Sequence, residues 1–289
     1  MQPHLALHTE RDPAASRLAD TAVWALVQEA ELTPKPALVD GRGCGVHPDL
    51  SLDLMWRSAH ALHAGFYALG VAATGRAPDR RLREELAAIG REAERDMMLA
   101  TGGANAHRGA IWALGLLLAA VAMDQDGTID DIAARAAKLA RLPDRFIPAA
   151  PSHGQSVAQR YGVSGARGEA QAGFPHALKV CLPALRHAQA MGVSEACARL
   201  DALLAVVAVL DDTCLLHRGG PPALHAAQIG ARAVLVVGGS STPAGAAALG
   251  KLDAALTALN ASPGGAADML AAALFIDAVQ GDMLPRETR

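Results

Sequence analysis

Thr101-Gly102-Gly103-Ala104-Asn105-Ala106-His107-Arg108-Gly109 runs directly into the longest apolar stretch of the chain, Ala110 to Met123. That stretch is shorter than the roughly 18 apolar residues that cross a bilayer. It reads as a helix buried in a protein core, and it sets the expectation for the whole fold. The residues before it are two glycines, an amide, an imidazole and a guanidinium. Adjacent glycines ahead of a helix are either a plain turn or an anion site. Glycine lets the backbone turn tightly and approach a ligand, and the free N–H groups and positive dipole end of a helix face the same place.

Composition agrees with helices. Hydrophobic residues make up 51% of the 289 and aromatics only 3%, so the apolar content is Ala, Leu and Val, which suits packed helices better than aromatic-rich strands. The net charge is −3 and there is no polybasic block, which argues against general nucleic-acid binding. Cys44, Cys181, Cys197 and Cys214 are scattered without a CxxC pair, as expected of reduced, mostly buried thiols. The first residues carry no apolar signal-peptide core and no membrane span is visible, so the expectation is a soluble cytoplasmic protein.

Working outward, Asp12-Pro13 predicts a helix start and the helix should run to about Leu32. Thr33-Pro34-Lys35-Pro36 stops it, and the flanking prolines hold Lys35 in a fixed direction. Glu29, Lys35 and Asp40 crowd this break, which is either a site or a stiff surface connector. Gly41, Gly43 and Gly45 come next, but no strand precedes them, which excludes a dinucleotide fingerprint. Ser51 should cap one long helix to about Ala73, carrying His60 and His63 on one face as a hydrogen-bonded pair rather than a zinc pair. Pro78 should open the next helix, to Met98, whose last turns hold Glu92, Glu94 and Asp96. Acids at a helix end just before a Gly-Gly turn either face water or, with N–H groups and Arg108, hold a magnesium nucleotide.

Thr128 to Asp131 predicts a capping box, and Pro143 to Pro151 a proline-rich connector. Ser152-His153-Gly154 starts a short helix, Arg167 and Glu169 stand among glycines, and Pro175 and Pro183 punctuate or kink the helical stretch around them. A very apolar helix from Ser194 to Leu210 should end at Asp211-Asp212. Acids at the negative end of a buried helix either face water or have a metal or a basic partner, and the cost of unpaired buried charge favours the partner. Two more Gly-Gly pairs precede helices, Gly219-Gly220 after Arg218 and Gly264-Gly265 before Asp268, and their recurrence favours several helix N-termini meeting one polyanion. Ala233 to Val237 continues a helical phase. We expect an all-α protein of roughly ten helices, one domain over 1–289, with its Gly-rich polar loops forming the active site at one end.

Seven segments carry a resemblance. They are LTPKPALVD (Leu32–Asp40), GVHPDL (Gly45–Leu50), GREAERDMMLATGGANAHRGAIWALGLL (Gly90–Leu117), SHG (Ser152–Gly154), YGVSGARGEAQAGFP (Tyr161–Pro175), DDTCLLHRGG (Asp211–Gly220) and SPGGAADML (Ser262–Leu270). In this order the chain resembles the triphosphoribosyl-dephospho-CoA synthase family. The resemblance implies an all-helical transferase that joins ATP to 3′-dephospho-CoA, releases adenine and makes 2′-(5″-triphosphoribosyl)-3′-dephospho-CoA. That product is the prosthetic-group precursor of an acyl-carrier subunit of malonate decarboxylase or citrate lyase, and the Asp-Thr-Cys-Leu-Leu form leans to the malonate type. Ala37, Ala106 and Ala266 stand where the family often has Gly, Thr and Ser, and Arg108 where it often has Lys.

The resemblance also implies an oxocarbenium-like transfer at the ribose anomeric carbon. We expect Asp212, Glu94, His107 and Glu169 to be catalytic. Asp211, Asp212, Glu94 and Asp268 should serve Mg²⁺. Lys35, Gly102, Gly103, Asn105, Arg108, His217, Arg218, Gly264 and Gly265 should grip the nucleotide and its phosphates. A homodimer is compatible with the sequence. Two other readings remain open: a magnesium-dependent nucleotide hydrolase, which would release phosphate without an acceptor, and a non-catalytic helical scaffold of a decarboxylase complex, which would not be stabilised by ATP and Mg²⁺.

Overall fold

The structure, a computed structural model, describes residues 12–147 and 152–281. The end of the Pro143–Pro151 connector (residues 148–151), residues 1–11 and residues 282–289 lie outside the described residues. Within them the chain is helical throughout, with one isolated bridge between Asp40 and Gly43 in place of any sheet. The order is α1 (Pro13–Glu31), α2 (Leu52–Ala61), α3 (His63–Ala73), α4 (Arg80–Ala100), α5 (Arg108–Met123), α6 (Ile129–Arg141), α7 (His153–Tyr161), α8 (Gly165–Gln171), a π-helical turn (His176–Cys181), α9 (Leu182–Ala190), α10 (Glu195–Val207), α11 (Thr213–Val236), α12 (Pro243–Ala258) and α13 (Gly264–Gln280).

Helices α5 and α13 are the inner pair. From Ala113 to Met123 every residue of α5 is buried, and α13 is buried nearly all round from Ala266 to Ile276. A helix apolar on every side has to lie inside others. Here α1, α3, α4 and α6 surround α5, while α1, α10 and the π-helical turn pack on α13. The outer α6 carries a strong apolar stripe, with Ile132, Ala136, Leu139 and Ala140 inward. Small residues bring helices close. A Cβ at Gly65 of α3 would lie 2.6 Å from the Cβ of Ala93 on α4.

Local chemistry sets the boundaries. The Asp12 carboxylate accepts the N–H groups of Ala14 and Ala15, and Thr128 and Asp131 form the reciprocal capping box. Asp79, not Pro78, caps α4 through the N–H of Leu82. The helix expected from Leu52 to Ala73 is divided at Leu62, whose N–H is shared between the carbonyls of Ser58 and Ala59. His60 and His63 do not pair: His60 is exposed and His63 meets Asp20 at 2.8 Å. Pro183 has no N–H to donate, and the π-helical turn lies just before it. Gly220, at φ 65°, kinks α11 ahead of Pro221 and Pro222. Among the described residues no helix is long and apolar enough to cross a membrane, and the four cysteines are free thiols.

Ala37 carries an unusual backbone. Ala37 sits at φ 58° in the left-handed region, fully buried, its N–H given to Asp253 at 2.7 Å and its carbonyl accepting the Val46 N–H at 3.1 Å. A Cβ there is strained, because the left-handed region favours glycine. Ala37→Gly relieves that strain against a more flexible unfolded chain, and we expect a net gain of about 0.5–1 kcal/mol by urea denaturation.

Candidate functional site

The site grows from the break after α1. Lys35 is 1% exposed, and its Nζ donates to both the Glu29 carbonyl and Glu29 Oε1, each at 2.6 Å. A buried ammonium needs such a partner. The loop that carries Lys35 is clamped from outside. Arg42 pairs with Asp40 and Asp253 and donates to the Lys35 carbonyl at 2.8 Å, while the Lys35 N–H donates to Asp40 Oδ2. Burial opposes the Asp40 charge, but the Arg42 guanidinium and two backbone N–H groups outweigh it and hold the carboxyl below its ordinary range. The Pro-Lys-Pro segment therefore fixes a buried cation, not a solvated one.

Three helix N-termini meet next to this lysine. Asp212 is 2% exposed and caps α11: Oδ1 accepts the N–H groups of Cys214 at 2.7 Å and Leu215 at 3.4 Å. Its Oδ2 accepts the N–H of Ala266 at 3.0 Å, in the first turn of α13. Desolvation nevertheless raises the Asp212 pKa, against the pull of those backbone donors and of the Gly265 N–H. This corrects the expected polarity. Helix α10 ends at Val207, the N–H groups of Val209 and Leu210 turn back to the Val206 carbonyl, and Asp212 opens the next helix. The acid stands at the positive end of a dipole and its partners are backbone N–H groups.

Asp268, one turn into α13, is the poorly provided acid. Its Oδ2 would lie 2.0 Å from a Cβ at Gly109, so α5 can begin beside it only because that residue is glycine. Burial first, then the charges of Glu29 and Asp212, push its pKa well above the ordinary 3.8, and no hydrogen bond from the described residues offsets them. Cys214 lies among the same groups: its Sγ would sit 3.0 Å from a Cβ at Gly264, and burial and the acids Asp212 and Asp268 raise its thiol pKa. His107, the residue before α5, is buried. Its Nδ1 meets Ser58 Oγ at 2.6 Å, and Nε2 has no partner among the described residues. Burial and the nearby Lys35 charge take its pKa down to about 3, so it is a neutral imidazole at physiological pH.

The other expected residues fall around this core. Arg108 pairs with Glu94, its Nε donating at 2.6 Å to Oε1, and its own N–H is capped by Asn105 Oδ1 at 3.2 Å. Arg218 donates to the Val46 carbonyl and meets His47 Nδ1 at 2.9 Å, and His47 Nε2 reaches Ser262 Oγ at 2.8 Å. Burial and the Arg218 charge lower the His47 pKa to about 4. Exposed His217 stacks on His153 with ring centroids 5.0 Å apart. Glu169 is separate from the acids above. It accepts the N–H and ring Nδ1–H of His176, and that bond raises the His176 pKa despite burial, helped by the charge of exposed Asp211. Asp211 and Asp212 thus face different surroundings. Among the described residues no three His, Cys, Asp or Glu side chains are arranged to enclose a metal ion, so the four acids expected at magnesium do not form a closed ligand set.

The Gly-Gly pairs have three different tasks. Gly102 and Gly103 end α4 and do not open α5: at φ 66° and 98° they donate their N–H groups to Leu99 and Met98 carbonyls. Gly265 and its neighbour Ala266 turn their N–H groups to Asp212, and Gly219-Gly220 makes the kink in α11. Sequence reasoning assigned no role to His47 and Ser262, although both lie in segments that carry the resemblance, nor to Ser58 and His176, which carry no local pattern. Only the fold brings His47 to Ser262 and Arg218, Ser58 to His107, and His176 to Glu169.

The protein is thus an all-helical one that brings three helix N-termini, a buried lysine and an under-compensated acid to one junction. The model of the ATP:dephospho-CoA triphosphoribosyl transferase family (CitG) matches residues 15–286. The probable 2-(5″-triphosphoribosyl)-3′-dephosphocoenzyme-A synthase of Azotobacter vinelandii is 55% identical, over 93% of this chain and 94% of its own. The 2-(5″-triphosphoribosyl)-3′-dephosphocoenzyme-A synthase of Klebsiella pneumoniae is 54% identical, over 95% and 98%. A probable synthase of the same name from Pseudomonas fluorescens is 55% identical, over 92% of both chains. No solved structure matches. The chain belongs to the ATP:dephospho-CoA triphosphoribosyl transferase family.

Asp268 gives a stability test of the site. An acid whose folded pKa is raised binds more protons folded than unfolded, so it detracts from stability increasingly as pH rises above its ordinary 3.8. We expect Asp268→Asn to be more stable than the native chain at pH 7. The gain should vanish near pH 4 and grow with pH by at most about 1.4 kcal/mol per unit, as read by denaturant melts across that range.

Proposed function

We propose that this chain transfers the triphosphoribosyl group of MgATP to the 2′-hydroxyl of 3′-dephospho-CoA, with release of adenine. The family match along nearly the whole chain carries this reading. In the reaction the bond between ribose C1′ and the adenine nitrogen breaks, and the acceptor oxygen bonds to C1′. The hydroxyl proton leaves to a base and the departing adenine takes up a proton; no P–O bond breaks, and the triphosphate is kept intact. Charge builds up on the ribose in an oxocarbenium-like transition state, by analogy with glycoside hydrolysis.

We assign the base to Asp268. It has a raised pKa suited to accepting a proton, and no hydrogen bond from the described residues ties it down. Asp212 has both oxygens occupied by backbone N–H groups, so its part is to hold the starts of α11 and α13 together. Lys35 and Glu29 set the charge beside Asp268, and neutral His107 offers Nε2 to the ligand. Arg108 and Arg218 hold the triphosphate. Magnesium arrives with ATP. It is normally bound through one or two carboxylates together with phosphate oxygens and waters, which fits a junction short of positive charge but without a closed ligand set. Glu94 serves here through Arg108, while Glu169 and Asp211 orient His176. The Asp-Thr-Cys-Leu-Leu sequence favours malonate decarboxylase as the enzyme whose carrier subunit receives the product. We assign the protein to the cytoplasm, where both substrates are made.

The test is to incubate the chain with ATP, Mg²⁺ and dephospho-CoA and to separate the bases and nucleotides. Free adenine should appear one for one with the triphosphoribosyl product and only when dephospho-CoA is present. Release of phosphate or ADP without acceptor would favour a hydrolase. Asp268→Asn should fold at least as well as the native chain and lose about 10²–10⁴-fold in kcat. Unchanged turnover would remove Asp268 from the chemistry.

A further inference from the structure

A second cationic centre lies where α4, α5 and α8 meet, formed by residues not used above. Arg83 of α4 is only 6% exposed, yet its Nε has no hydrogen-bond partner among the described residues. An unpaired buried guanidinium is costly, and natural proteins keep one where something else completes it. The acid beside it is already taken: Asp144 gives Oδ2 to Arg91 at 2.8 Å and Oδ1 to the Phe146 N–H at 2.9 Å. The Arg83 guanidinium is held in place by the Trp112 ring, with its central carbon 5.2 Å from the ring centroid. Trp112 is itself fixed, its Nε1–H donating to the Ala166 carbonyl at 3.1 Å.

Arg167, the residue after Ala166, is exposed and adds a second positive charge near enough to act on Arg83. Burial opposes the Arg83 charge most, Asp144 favours it, Arg167 and Arg91 oppose it, and no acid among the described residues accepts a hydrogen bond from Arg83 Nε. The place adjoins the junction of helix N-termini. A Cβ at Gly165 would sit 3.4 Å from Cγ2 of Thr213, the residue after Asp212. Ala166, which holds Trp112, is the next residue along.

We propose that Arg83 and Arg167, set by Trp112, form a second phosphate subsite that binds a phosphoanhydride of one of the two nucleotide substrates. Guanidinium groups suit this chemistry because their donors match paired phosphate oxygens. The ligand is either the triphosphate of ATP or the diphosphate of dephospho-CoA. The subsite rests on the transferase reading for the identity of those substrates.

The test uses the full chain with Arg167→Gln, an exposed position, and Arg83→Met, which keeps apolar contact with Trp112 while removing the buried charge. Calorimetric titration with MgATP, with dephospho-CoA and with inorganic pyrophosphate gives three dissociation constants for each protein. We expect each variant to bind pyrophosphate and at least one nucleotide about ten-fold or more weakly. The nucleotide affected identifies the source of the phosphate. Arg83→Met should also melt no lower than the native chain, since it removes an unpaired buried group. If it unfolds, Arg167→Gln alone decides. Binding of both nucleotides within two-fold of the native chain in every folded variant overturns the subsite. Adenine release by the native chain, measured alongside, separates that outcome from failure of the transferase reading.

Discussion

A buried carboxylate held by backbone N–H groups is the constraint on which the site depends. Asp212 closes the first turn of α11 with one oxygen and that of α13 with the other. Each helix would otherwise leave unpaired donors inside the protein. One side chain satisfies both, and so the two helix starts cannot move apart. Because α13 is one of the two innermost helices, this local bond also fixes where Asp268 stands relative to α5. Glu29 and Lys35 then come in from the end of α1. Burial raises the pKa of both Asp212 and Asp268, and at Asp268 the charges of Glu29 and Asp212 add to the rise. Burying two carboxylates at one junction is costly, and natural proteins keep such groups mainly where function uses them.

The same economy governs the loop of Lys35. Proline on both sides stiffens it, but the structure adds the Asp40, Arg42 and Asp253 clamp, which ties it to α12. The lysine is therefore placed before any ligand arrives. Preorganised charge of this kind needs no rearrangement during the reaction. Neutral His107 fits the same plan, because an added positive charge beside Lys35 would be repelled.

Much of the fold was legible in the chain. The apolar run after Gly109, the Asp12-Pro13 start and the Thr128 capping box each have one physical reading, and each was found where it was expected. The Asp211-Asp212 step misled on polarity, because Ala208 to Leu210 are as apolar as the helix before them and nothing local shows that the helix has ended at Val207. The glycine pairs were legible as special backbone but not as particular tasks. A Gly-Gly between two helices can end one or begin the other, and only the partners of its N–H groups decide. Arg83 was invisible in Arg80-Arg81-Leu82-Arg83, where it looks like one more charge on an amphipathic helix. Its guanidinium lies over Trp112, which is on a different helix.

Amide hydrogen exchange of the full chain, with and without MgATP and dephospho-CoA, tests most directly that the meeting point of α5, α11 and α13 is where substrate binds. Ligand should slow exchange together at 107–111, 213–216 and 264–268, the three helix starts that surround Asp212 and Asp268. Unchanged exchange in all three segments, with protection confined to other parts of the chain, would contradict the account.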